Sequence, residues 1–345
     1  MSRMSILSIG PADLVGAAFS TPLVSLAIAL VVAGVIVALS GKRREGSTVT
    51  RPADAAIRSR YAPERRTLGV VAIAVVVIFV AENVVRGYLV DVSDVVTWWR
   101  FALPVFCAAV GLAVLLVLVT TRGTKPPEIP VVDARRTWAT FGPRTMIIAA
   151  VVACAALLAT TIAAGLASSP DDRGRYIWLA IPVPNEPAID PVRQWFYGWA
   201  FGVPVLICLA VLVAVAWMVL HVNASRPFQR PETVVDERGA RREVAAGAVN
   251  IALAGMLIAL AGAWRLIARS GTGSQLIIDG QNGGEPYDMT WRYAEIAVLG
   301  GWLAPVLEIT AFAVLIVVAA RAFRRRAIAG SEISGDPATS EASVR

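Results

Sequence analysis

The segment WAFGVPVLICLAVLVAVAWMVL, Trp199 to Leu220, contains no charged residue. At 1.5 Å per residue it makes a helix of roughly 33 Å. That length matches the ~30 Å of hydrocarbon in a bilayer. Six further stretches are apolar over a similar length, three of them with one or two charged residues, and with this one they lie at 17–39, 67–89, 101–121, 145–167, 199–220, 244–266 and 295–320. The polar gaps between them are too short for a folded soluble domain of about 50 residues. The sequence therefore predicts an all-α membrane protein, a seven-transmembrane-helix bundle forming a single domain over 1–326. Helices are required because each backbone N–H and C=O in lipid needs an internal partner. The remaining 327–345, rich in Ser, Ala and Glu, are expected to form a disordered cytoplasmic tail.

Composition agrees with this reading. Hydrophobic residues make up 57% of the 345 and charged residues 17%, with a mean hydropathy of +0.65. A soluble domain carries about 25% charged residues. The net charge of +7 is unevenly placed. Basic residues gather in four segments: Lys42 to Arg66, Arg122 to Arg144, Arg226 to Arg242, and Arg321 onward. These alternate in sidedness only if the helix count is odd. The positive-inside rule then puts the N-terminus outside and the C-terminus in the cytoplasm. The first apolar run is too long for a signal peptide, and its basic cluster Lys42-Arg43-Arg44 follows it, so it is expected to be retained. The Arg-over-Lys bias points to a high-GC bacterial genome, and hence to a bacterial plasma membrane.

A repeat runs through the odd-numbered helices. Phe19 and Pro22, Phe101 and Pro104, Phe201 and Pro204, and Trp302 and Pro305 share the pattern aromatic-x-x-Pro-[Val/Leu]. Aromatic residues favour the interface, and proline is tolerated in a first helical turn. The pattern predicts parallel helical-hairpin repeats, each odd helix anchored at the outer boundary by its aromatic. Small residues at helical spacing mark helix 4 (Ala149, Ala153, Ala156, Thr160) and helix 6 (Gly255, Ala259, Ala263) as central, close-packed helices.

Ionisable residues at membrane depth are costly and are candidate sites. Glu308 lies about 20 Å above Arg321, and Glu82 about 22 Å above Thr67, so the two carboxylates could share a level. Glu82, Asn83, Arg86, Glu308 and Arg265 make up a candidate intramembrane polar site. Asn250 is expected to hydrogen-bond between helices. The outer segment 168–198, with its prolines and tryptophans, is expected to form a cap on the membrane surface. In the other outer segment, 270–294, Asp279, Asn282 and Gly284 only superficially resemble a calcium loop.

Several classes are excluded. No phosphate-binding G-x-x-x-x-G-K-[S/T] loop is present. A single histidine, His221, rules out a zinc H-E-x-x-H site. Retinal proteins need a lysine in the last helix, and none lies there. Cys107, Cys154 and Cys208 sit inside apolar runs, as packing residues. The positive charge lies beside membrane spans, where acidic lipid is its partner and nucleic acid is not. No cofactor, bound metal or catalytic group is expected. Two readings of function remain. One is a non-catalytic membrane-embedded subunit or accessory protein, its partners being membrane lipids and another membrane or cytoplasmic protein subunit. The other is a small-solute or cation/proton-coupled transporter using the intramembrane carboxylates.

Overall fold

The computed structural model describes residues 21–42, 52–89, 95–122, 137–184, 189–273, 275–276 and 286–333. The protein is mostly helical, with seven helices long and apolar enough to cross a membrane. They are α1 (Pro22–Lys42), α2 (Pro52–Val84), α3 (Leu103–Arg122), α4 (Arg144–Ala167), α5 (Trp199–Ser225), α6 (Val234–Gly271) and α7 (Ala294–Ile333). All seven expected spans are present, but the helices do not stop at the apolar boundary. Helix α2 starts well ahead of residue 67 and ends in a π-helical turn, Val85–Leu89. Helix α6 starts ahead of residue 244, led in by the short 3-10 turn Pro231–Thr233. Its first turn carries Asp236 and Glu237, where negative charge complements the helix dipole. Helix α7 runs past 326 to Ile333, and the rest of the expected tail lies outside the described residues. Much of what reads as basic loop is thus helix, and Tyr61, Glu64, Glu237 and Arg241 of these extensions are buried.

Helix α6 is the axis. It packs against α2, α3, α4, α5 and α7, while α1 packs on α7 at the periphery. The apolar window of α6 is 89% buried and that of α4 only 17%. The small residues of α6 therefore do what the spacing predicts: Gly255 lets α3 approach so closely that a Cβ there would sit 2.9 Å from Ala108 Cβ. For α4 the small residues also mark the packed face, but the expected central place fails. Ala153 is buried and Ala149, Ala156 and Thr160 are half-buried on its inner face, but the other face exposes Ile148, Val151 and Val152. A stripe of small residues marks the face that packs, and does not say how many neighbours the helix has.

The end opposite the basic segments carries β-structure. Strands β1 (Ser169–Pro170), β2 (Tyr176–Ile181) and β3 (Val192–Trp195) form an antiparallel sheet in that order, with Trp178 paired to Trp195. A second small ladder joins β4 (Gln275–Leu276) to β5 (Tyr287–Asp288). The segment expected to be a surface cap is thus a sheet. Ile177, Leu179 and Ile181 alternate inward and belong to the main core with Phe196 and Tyr197. The repeat aromatics also depart from expectation. Phe101 and Phe201 are buried and meet edge to face at 5.4 Å, so they are core residues; Trp302 is exposed, as an interface anchor should be. Phe19 lies outside the described residues. Pro22 and Pro104 sit in first helical turns, whereas Pro204 and Pro305 lie inside α5 and α7.

Candidate functional site

Arg265 of α6 and Glu308 of α7 form a two-pronged ion pair. Arg265 Nε donates to Glu308 Oε1 at 2.6 Å, and Nη2 donates to Oε2 at 2.6 Å. Glu308 is 1% exposed. Nη2 also reaches the hydroxyl of Ser25 on α1, at 3.4 Å. Ser25 occupies the position in the first repeat that Glu308 occupies in the last. A planar guanidinium matched to both carboxylate oxygens is the strongest geometry such a pair can take. A cation could reach this carboxylate only after both short bonds had broken.

Glu82 belongs to a different cluster. Arg86 donates from Nε to Glu82 Oε1 at 2.8 Å and from Nη1 to Thr97 Oγ1 at 2.6 Å. Asn83 donates to Phe79 O of its own helix at 2.8 Å, so its amide closes a local bond. Arg100, in the loop before α3, has its pKa held below the usual arginine value. Desolvation is the first cause, then the charge of Arg86, with Glu82 opposing and Arg269 adding to the lowering. Four of the five candidate residues therefore form two ion pairs, Arg265–Glu308 and Arg86–Glu82, while Asn83 bonds to its own helix, and a single carboxylate pocket is not what the structure forms. Asn250 also departs from expectation, since its Oδ1 is buried without a hydrogen-bond partner.

Among the described residues, the largest buried polar network lies at the basic end, where charge counting in the sequence gives only sidedness. Arg241 of α6 is fully buried. Its Nε donates to Tyr61 Oη at 3.2 Å, Nη1 to Arg226 O at 2.6 Å, and Nη2 to Pro227 O at 2.9 Å. Nη2 also pairs with Glu237 at 3.4 Å, and the guanidinium lies 4.3 Å from the centre of the Phe228 ring. Beside it, Arg226 pairs with Glu64 of α2 at 3.2 Å and donates to Val119 O at the end of α3. Asn223 donates to Arg241 O at 3.1 Å. One signal in sequence pointed here: Glu237 and Arg241 are four apart, just ahead of the apolar run.

Next to this network is a groove of about 810 Å³ between the turn 137–143, the start of α4 and α6. Among the described residues, no group of three or more His, Cys, Asp or Glu side chains could hold a metal ion. The calcium-like spacing at Asp279, Asn282 and Gly284 lies outside the described residues. Cys107, Cys154 and Cys208 are half-buried free thiols. His221 stacks on Trp217 at 5.5 Å. Comparison of the chain with protein-family models, with curated proteins and with solved structures returns no match.

Proposed function

We propose that the chain is a non-catalytic, membrane-embedded subunit or accessory protein of a bacterial plasma membrane, with its N-terminus outside and its C-terminus cytoplasmic. The observation that carries this reading is the sealing of Glu308. Its two oxygens are engaged by one guanidinium, and the side chain is 1% exposed. A coupling carboxylate must exchange its partner during turnover, and this one is locked to the central helix. The basic segments then serve as the face offered to acidic lipid and to another membrane or cytoplasmic protein subunit. Two contacts support growth of the bundle by duplication: Phe101 meets Phe201, and Ser25 and Glu308 converge on Arg265.

Reconstitution in proteoliposomes tests the reading. The expected result is no proton or cation flux above empty vesicles, in wild type and in Glu308→Gln alike. A flux that Glu308→Gln removes while leaving the protein as stable as wild type supports the transporter instead. Sidedness is tested by labelling cells with an impermeant maleimide. Asp172→Cys should react in intact cells and Arg242→Cys only after permeabilisation; the reverse order overturns the orientation.

A further inference from the structure

We propose that the groove at the basic end binds the phosphate of an acidic phospholipid headgroup. This rests on the membrane-spanning reading but not on the absence of transport. The groove is lined by Thr137, Thr140, Arg144, Arg242, Glu243 and Ala246, among others. Arg144 and Arg242 are exposed, and among the described residues neither guanidinium has an ion-pair or hydrogen-bond partner. The acid in the wall is already neutralised, because Arg65 Nη2 holds Glu243 Oε2 at 2.9 Å. The groove is left with an excess of two positive charges. Its end wall is the start of α4, where Pro143 is the N-cap and no side chain caps the first turn. Met146 and Ile147 N–H donate to Pro143 O, but the N–H groups of Arg144 and Thr145 have no intrahelical acceptor, and with the helix dipole they add to the attraction for an anion.

The position of the groove selects the source of the phosphate. Helix α4 turns apolar directly after Arg144 and Thr145, and α6 directly after Glu243. Below Arg144 the outer face of α4 exposes Met146, Ile148, Val151 and Val152. An amphiphile with its phosphate at the two arginines would lay its chains along this face. Free phosphate would use the charge and leave the apolar face unused. Basic pockets between spanning helices are suited to acidic headgroups for this reason.

The test is native mass spectrometry of the full chain in neutral detergent, titrated with phosphatidylglycerol, with phosphatidylcholine and with inorganic phosphate. Wild type is expected to retain phosphatidylglycerol in preference to phosphatidylcholine and to show no saturable phosphate adduct. An arginine beside an anionic headgroup accounts for about fivefold in affinity, so R144Q and R242Q should each weaken binding by about that factor and the double variant by about 30-fold. R144K/R242K should retain binding. R66Q/R321Q, which removes two exposed charges of the same end outside the groove, should bind as wild type does. Because the singles are read separately, the comparison survives any folding defect of the double. The proposal is overturned if R144Q/R242Q binds phosphatidylglycerol as tightly as wild type. It is also overturned if R66Q/R321Q loses as much, if phosphatidylcholine competes equally, or if phosphate saturates the groove while lipid does not.

Discussion

Removing one member of the Arg265–Glu308 pair should cost far more than removing both. Glu308→Gln keeps the shape and removes the charge, so it strands a guanidinium whose side chain is 18% exposed. Breaking a buried pair from one side costs about 3–5 kcal/mol, most of it from the charge left behind. Arg265 keeps its contact with Ser25 and some access to solvent, so the expected loss is about 2–3 kcal/mol. Arg265→Gln strands the more deeply buried partner and should cost about 3–5 kcal/mol. The double variant Arg265→Leu/Glu308→Leu removes both charges and fills the space with apolar atoms, and should fall within about 1–2 kcal/mol of wild type. Measured against the matching singles Arg265→Leu and Glu308→Leu, which strand the same charges, the double should show a coupling of at least about 3 kcal/mol. Unfolding in mixed micelles of dodecyl maltoside and SDS, followed by tryptophan fluorescence, measures each value. A coupling below about 1 kcal/mol would mean that the two charges are solvated independently, and the sealed-pair reading would fail.

Arg241→Met should destabilise by about 2–4 kcal/mol in the same assay, because it leaves Glu237 Oε2 and two backbone carbonyls without their donor, while Glu237 Oε1 keeps Thr233, Gln229 and Arg60. A loss under about 1 kcal/mol would show that water replaces the guanidinium. Asn250→Leu should be neutral or stabilising by about 1 kcal/mol, since the amide oxygen it removes is buried without a partner. A clear loss of stability there would reveal a hidden hydrogen bond. Asp171 gives a pH test. Although desolvation would raise its pKa, the hydrogen bonds from Arg175 and Arg173 hold the carboxyl below its ordinary value. Its contribution is complete above the unfolded pKa of about 3.9 and is lost as pH falls through the lower folded value. Hydrogen exchange in the β1–β2 turn should accelerate as pH falls below about 4, after correction for intrinsic rates, and Asp171→Asn should remove that step. An unchanged step in Asp171→Asn would refute the assignment.

The seven spans were legible because an uninterrupted apolar run of helical length has one solution in a bilayer. Lateral order was not. In lipid both faces of a helix are apolar, so the period that marks the core side of a soluble helix is missing. Helices 4 and 6 therefore looked alike in their small residues, and only contacts separate the buried α6 from the peripheral α4. The sheet carries a readable signal, since Tyr176 to Ile181 alternates with period two, but six residues among flanking prolines are equally compatible with an extended surface segment. Glu308 and Arg265 were each visible as charges at depth, 43 residues apart in sequence. Their pairing depended on packing between α6 and α7. Arg226 and Arg241 were hidden by their neighbours: inside a basic segment, a buried arginine and a headgroup-facing one are spelled alike.

Both fully engaged arginines of α6 sit near its ends, and this bears on what the bundle can do. Arg241 and Arg265 are separated by about 36 Å of helix. Each is held by other helices or their connections: Arg265 by α7 and α1, Arg241 by Tyr61 of α2 and by the carbonyls that follow α5. Between them α6 offers mostly small and aliphatic side chains, whose contacts change little in energy when a helix slides or is exchanged for lipid. The apolar middle alone would set the axial position of α6 poorly. Two charge clamps set it well, because any slip of a few ångströms strands both guanidiniums at once, at a cost of about 3–5 kcal/mol each. Alternating access requires one part of a bundle to move against another around a central site. Here the central element is tied at both ends to the shell around it, which is the mechanical arrangement a scaffold uses and a rocking carrier would have to break in every cycle.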